Sequence, residues 1–132
     1  LFASPEHAAQ VKAIIHPAVR RDFLRWADAH SRSPVVAIES AILCESGFHT
    51  LVDSILLVDA PLEVRLQRAM QRDGASRQQV MARMARQDSA QARQLARFTV
   101  TNDGGGDQPL QACLESIVTQ LQAEAGAMQD NK

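Results

Sequence analysis

Arg65, Arg68 and Arg72 stand at i, i+3 and i+7, a spacing that gathers them within about 60° of one face of a helix. Leu62, Leu66 and Ala69 fall on the neighbouring stripe, which would face a core. Charged helix faces are usually solvated and balanced by acids four residues away. Here the positions four away are Pro61, Ala69, Val64 and Ser76, or another member of the trio. Like charges at that spacing repel, so an anion from outside the helix is expected to neutralise them. A planar guanidinium fork matches phosphate oxygens two at a time, which makes a polyphosphate the natural external anion. A tertiary carboxylate such as Glu39 or Glu45 is the structural alternative. Arg83 and Gln87 form a similar i, i+4 pair on the next segment, away from Val80 and Met84. Two basic helices joined at a glycine make a lid-like arrangement. In phosphoryl transfer such arginines stabilise charge on the moving group and exclude water.

These side chains need elements to position them. Asp59-Ala60-Pro61 opens a predicted helix from Pro61 to about Asp73; Gly74 ends it and Ser76 caps the next, Arg77 to Gln87. Val35 to Ile38 and Ser54 to Val58 are short continuous apolar runs, the pattern of strands buried on both faces of a parallel sheet. Phe98 to Thr101 is a third candidate strand. Strands alternating with helical patterns point to an α/β fold built from right-handed crossovers. Upstream, Ser4-Pro5-Glu6 starts a helix to about Ile15, His16-Pro17 interrupts it, and a second helix runs from Pro17 to about Ala29. That second helix gathers Val19, Phe23, Trp26 and Ala27 on one side, so Trp26, like the methionines, is assigned to packing. Asn102 to Gly106 is a loop. Leu110 to about Ala123 closes the chain as an amphipathic helix with Leu110, Leu114, Ile117 and Leu121 inward, and the tail from Gly126 is expected to fray.

Composition narrows the function classes. With 132 residues, 14 basic against 15 acidic side chains and a formal net charge of -1, the chain fits one soluble globular unit rather than a polyanion binder. Nucleic acid and membrane are therefore not expected partners. Cys44 and Cys113 are far apart without metal-ligand spacing, which suits reduced thiols in a cytoplasmic protein. Leu1-Phe2-Ala3 carries no initiator Met and no leader pattern, so the sequence reads as entered midway.

Several further residues have both a structural and a functional reading. Glu39 and Glu45 follow an apolar run, where ligand sites collect at the carboxyl ends of parallel strands. Glu39 is the stronger candidate and could hold magnesium waters or substrate, whereas Glu45 suits a local cap. His16 before Pro17 suits packing at a helix break or orientation of a substrate. Gly104-Gly105-Gly106 lacks the helix start that a phosphate cradle requires, and is read as a flexible loop.

In register along the chain, the segments Ile14-Ile15-His16-Pro17, Glu39 through Glu45, Val52 to Pro61, Arg68 to Ser76, Ala82-Arg83-Met84 with Gln87, and Val100-Thr101-Asn102 closely resemble the dephospho-CoA kinase family. The family has Pro-Leu-Leu-Phe where Ala41-Ile42-Leu43-Cys44 stand, and an Asp where Arg97 stands. The resemblance implies transfer of a phosphoryl group from ATP, with Mg2+, to the ribose 3'-hydroxyl of dephospho-CoA in the last step of coenzyme A synthesis. It implies an α/β fold class: a parallel-sheet P-loop kinase core with a helical substrate domain and a helical lid. In this chain that core would be incomplete, lacking the first strand and phosphate loop.

Residues 1–33 would form part of the helical substrate domain and 34–61 core strands with a connecting helix. Residues 62–96 would form the arginine helix and lid, and 97–132 the last strand, adenine-side loop and closing helix. On this resemblance Arg68 and Arg72, with Arg65, would act on phosphates; Arg83, Asn102 and Gly104 would lie on the ATP side; His16 and Glu39 would meet the second substrate. The family's G-x-x-x-x-G-K-[ST] loop is matched nowhere, because the only lysines, Lys12 and Lys132, lack the preceding glycines. The chain reads as the C-terminal two-thirds of such an enzyme, inactive alone. The alternatives are another small-metabolite P-loop kinase, or a non-catalytic nucleotide-binding or regulatory module. Oligomeric state is not legible in the sequence.

Overall fold

A two-stranded parallel sheet fixes the geometry that matters here. The computed structural model describes residues 5–85 and 90–129; Ser4, Gln87 and Lys132, named above, lie outside them. In chain order the elements are α1 (Pro5–Ala29), a 3-10 turn (Phe48–Leu51), β1 (Leu56–Asp59), α2 (Leu62–Asp73), α3 (Arg77–Met84), α4 (Ala90–Leu95), β2 (Phe98–Thr101) and α5 (Asp107–Gln129). Leu-Leu-Val-Asp and Phe-Thr-Val-Thr are rich in strand formers, and they pair in parallel register, Leu56 opposite Phe98 through Asp59 opposite Thr101. Parallel pairing requires a long crossover, which α2, α3 and α4 supply. Ile55 O accepts from Arg97 N and Phe98 N at 3.0 and 3.2 Å, and Asn102 N donates to Asp59 O at 2.7 Å. The pairing thus extends past both ends of the ladder, and both strands release their chains at the same edge.

Local chemistry sets the helices on that edge. Pro61, at φ -53, stands at the N-cap of α2, and Gly74 ends the helix in the left-handed conformation at φ 60, where a side chain would be strained. Ser76 and Gln79 form a complete capping box on α3, satisfying two amide donors that the first turn leaves open. α2 and α3 pack against each other, and Leu66 of α2 and Val80 of α3 are only 1 % and 2 % exposed. α5 covers β2 with the predicted face: Ile117 is buried and Leu110, Leu114 and Leu121 are half-buried. Pro109 stands in its first turn, where a missing amide costs no helical bond.

Five expectations are corrected. Pro17 does not break the chain into two helices but lies inside the continuous α1. Its lost hydrogen bond is outvoted by strong helix formers on both sides. Val35 to Ile38 forms no regular element: among the described residues the sheet contains only β1 and β2, so an apolar run without a ladder partner forms no strand. Residues 41–47 form turns rather than a connecting helix. There the Ser46 hydroxyl donates to Ile42 O at 2.7 Å, and Gly47 turns the chain at φ 75. Val19 and Trp26 of α1 remain 42 % and 43 % exposed, with Trp26 stacked on Phe23 and tilted against His30 rather than packed in a core. Gly126 does not start a frayed tail, because α5 continues to Gln129.

Candidate functional site: the carboxyl edge of the parallel pair

Asp59 and Thr101 end their strands side by side, and the chemistry collects around them. Asp59 is braced by its own backbone, since Ala60 N donates to its Oδ1 at 2.9 Å. Arg93 of α4 reaches the same carboxylate with both terminal nitrogens, Nη1 to Oδ2 and Nη2 to Oδ1 at 3.0 Å. Donation by Arg93 holds the Asp59 carboxyl below its ordinary value of 3.8 against the opposing effect of desolvation, with Arg65 adding a weaker attraction. Asp59 therefore stays ionised at neutral pH.

The predicted trio divides. Arg65, half-buried, donates from Nε to Ala60 O at 2.9 Å and so ties α2 to the turn after β1. Arg68 crosses to the other strand's exit, donating from Nη1 to Asn102 O at 2.9 Å and from Nη2 to Asn102 Oδ1 at 3.2 Å. A Cβ on Gly104 would stand 3.3 Å from Arg68 Nη2, and its φ is +90. Only glycine meets both demands. Asp103 Oδ1 accepts from Gly105 N at 2.9 Å, closing an Asx turn. A shallow cavity of about 280 Å³ opens beside this loop, lined among others by Asn102, Gly105, Pro109, Leu110 and Cys113.

Arg72 faces elsewhere. Its Nε and Nη2 donate to Asp73 at 2.7 and 3.1 Å, and Arg83 of α3 reaches the same carboxylate at 2.9 Å. Donation from Arg72, then Arg83, pulls the Asp73 carboxyl down to about 2. The expectation that the trio lacks acidic partners is thus corrected for Arg72. A test of positions four away overlooks the adjacent residue. Neither Glu39 nor Glu45, the carboxylates suggested from sequence, holds an arginine among the described residues. Both are exposed. His16 is half-buried with its ring 6.2 Å from that of Phe48, in neither cluster.

Sequence reasoning sets Arg65, Arg68 and Arg72 together on the phosphates and Arg83, Asn102 and Gly104 on the ATP side, whereas Arg65, Arg68, Asn102 and Gly104 share one neighbourhood and Arg72 and Arg83 another. It missed Asp59, Asp73 and Arg93. A carboxylate ending an apolar strand is a readable signal for Asp59. Arg93 has none, since it meets Asp59 only through the pairing of β1 with β2.

Comparison with known proteins gives the family. The family model for dephospho-CoA kinase matches residues 1–108. A dephospho-CoA kinase of Bacteroides fragilis is 47 % identical over 105 residues, covering 79 % of this chain and 51 % of that protein. The Porphyromonas gingivalis enzyme of the same name is 45 % identical over 92 residues, 70 % of this chain and 45 % of its own length. The Deinococcus radiodurans enzyme is 34 % identical over 124 residues, 92 % of this chain and 60 % of its own. The chain spans about half the length of these curated relatives. With a family match over residues 1–108 of 132, the chain belongs to the dephospho-CoA kinase family.

Proposed function

We propose that these residues supply the phosphate-clamping side of a dephospho-CoA kinase, an enzyme that moves the γ-phosphoryl group of ATP to the ribose 3'-hydroxyl of dephospho-CoA. The observation that carries the reading is the convergence of Arg65, Arg68, Asn102 and Gly104 at the carboxyl edge of a parallel strand pair. That edge is where α/β folds receive nucleotides. Arg68 uses one donor from each terminal nitrogen on Asn102, and its remaining donors are available to phosphate oxygens. The loop it holds flanks the adenine ring, with Asn102 and Gly104 on the ATP side. Arg72 and Arg83, on α2 and α3, take the outer phosphates and keep water from the transferring group.

His16 and Glu39 belong to the dephospho-CoA side, within a helical substrate region over residues 1–33. Residues 34–61 and 97–132 belong to a P-loop kinase core, and 62–96 to its lid. No three His, Cys, Asp or Glu side chains gather among the described residues, and Asp59 spends both oxygens on Arg93 and Ala60, so Mg2+ would be held chiefly by the phosphates of ATP and by water. The 132 residues contain no G-x-x-x-x-G-K-[ST] loop, so the backbone cradle for the phosphates is not expected from them. No described helix is long and apolar enough to cross a membrane, and the substrates are small molecules of the cytoplasm.

A chimera in which this chain replaces the matched stretch of the Bacteroides fragilis relative tests the substrate. Product from ATP and dephospho-CoA should carry a new phosphate on the ribose 3'-oxygen, and other small-metabolite alcohols should neither be phosphorylated nor compete. Equal phosphorylation of an unrelated alcohol would favour a different small-metabolite kinase.

A further inference from the structure

Asp73 stands between the two arginines that the phosphate reading places on α2 and α3, and nothing in that reading explains it. It is the last residue of α2, where the exposed carbonyls already make the helix end negative and an acid is unfavourable. Its carboxylate is nevertheless less exposed than its partners, 23 % against 76 % for Arg72 and 53 % for Arg83. The Nε–Nη2 edge of Arg72 grips both Asp73 oxygens at 2.7 and 3.1 Å. That edge is one a phosphate would use for the same two-point contact. Arg83 Nη1 shares Oδ2 at 2.9 Å. An open cavity of about 600 Å³, lined by Asp73, Gly74, Ala75, Gln79, Ala82 and Arg83, adjoins the cluster and has room for an anion.

Bracing of α2 against α3 does not require Asp73. Glu63 and Arg77 already join the two helices through bonds of 2.7 and 2.8 Å, with Glu63 in the favourable first turn of α2.

We propose that Asp73 is an internal competitor for Arg72 and Arg83, occupying them until phosphate oxygens displace it and thereby setting the polyphosphate affinity of the α2–α3 site. The inference rests on the phosphate reading of those arginines. Asp73 acts through them and touches no reacting atom, so it is a positioning residue. Displacement exchanges one carboxylate for a more highly charged anion at the same two forks. Removing the carboxylate's charge removes the competitor and its repulsion of the incoming phosphate together.

Calorimetric titration of the 132-residue chain with inorganic tripolyphosphate at low salt tests this. Asp73→Asn should bind about fivefold tighter, the equilibrium equivalent of losing one exposed competing ion pair. Glu63→Gln, which removes the same charge from the neighbouring pair, should change affinity by less than about twofold. Circular dichroism confirms matched helicity, and Asp73→Ser serves if the amide variant misfolds. Equal tightening in Asp73→Asn and Glu63→Gln would reduce the effect to net charge and overturn the proposal, as would weaker binding or no binding to any form. Arg72→Ala separates the premises. Unchanged tripolyphosphate binding in that variant removes the phosphate reading and the competitor with it. Lost binding there, without tightening in Asp73→Asn, removes the competitor alone.

Discussion

Arg68 and Asn102 are 34 positions apart in sequence, yet the guanidinium of one spans both oxygens of the other. That contact couples the helix bearing the arginines proposed to meet phosphate to the loop proposed to lie beside adenine. In the chimera, Arg68→Ala should lower kcat by about 100-fold, the scale of losing one preorganised donor to developing charge. Arg68→Lys should recover little of it, since an ammonium cannot span two acceptors and a phosphate. Gly104→Ala should also impair turnover and cost about 1 kcal/mol or more in stability, because its φ is +90 and its Cβ would press on Arg68. Denaturant titration beside kinetics reads both effects. Asp59 gives a pH signature. Its carboxyl lies below 3.8 because Arg93 donates to it, so the unfolded chain takes up the proton first as pH falls. The stabilisation is complete above about 3.8 and disappears as pH drops through the folded value. Thermal unfolding from about pH 6 to about pH 3 should therefore show a shallower acid decline in Asp59→Asn than in the parent. The arginine spacing was readable because helical period is local. Asp59 with Arg93 was not, because strand pairing creates that contact, and Arg72 with Asp73 was not, because a search at helical spacing skips the adjacent residue.

At the level of elements, punctuation was the most legible part of the sequence. Pro61, Gly74 and Ser76 delimit α2 and α3 as their chemistry requires, and Phe98 to Thr101 forms a strand with the predicted limits. Ser76→Ala removes the hydroxyl that accepts from Gln79 N at 3.3 Å, and should cost about 1 kcal/mol. In an eight-residue helix that loss should also loosen Arg83, so amide exchange in α3 should quicken more than in α5. Apolar runs were less informative. Val35 to Ile38 and Leu56 to Asp59 look alike in sequence, but only the second has a neighbour to complete its hydrogen bonds. A run of apolar residues states that burial is favourable and leaves open what will cover it. Pro17 misleads for a related reason: a helix tolerates one missing bond when both flanks favour helix, and α1 spans 25 residues.

The molecule as a whole buries little. Its surface of 10138 Å² exceeds the roughly 6,800 Å² that a compact monomer of 14.4 kDa exposes. Cys44, Phe48, Leu66, Val80, Val100 and Ile117 are the buried apolar side chains among the described residues. Ile14 at 74 % exposure and Val58 at 57 % leave apolar surface on α1 and on β1 open to water. The isolated 132 residues should consequently show low stability or concentration-dependent association, readable by sedimentation and by a low denaturant midpoint. Leu66→Ala, which normally costs about 2–5 kcal/mol, should abolish cooperative unfolding. Family membership is shown over residues 1–108, and the phosphate-loop motif does not occur in these 132 residues. Steady-state ADP formation with ATP, with and without dephospho-CoA, compares the 132-residue chain with the Bacteroides fragilis chimera. The account predicts no ADP above background from the chain alone, and dephospho-CoA-dependent ADP from the chimera. Appreciable turnover by the chain alone, or a folded chimera that forms none, would contradict it.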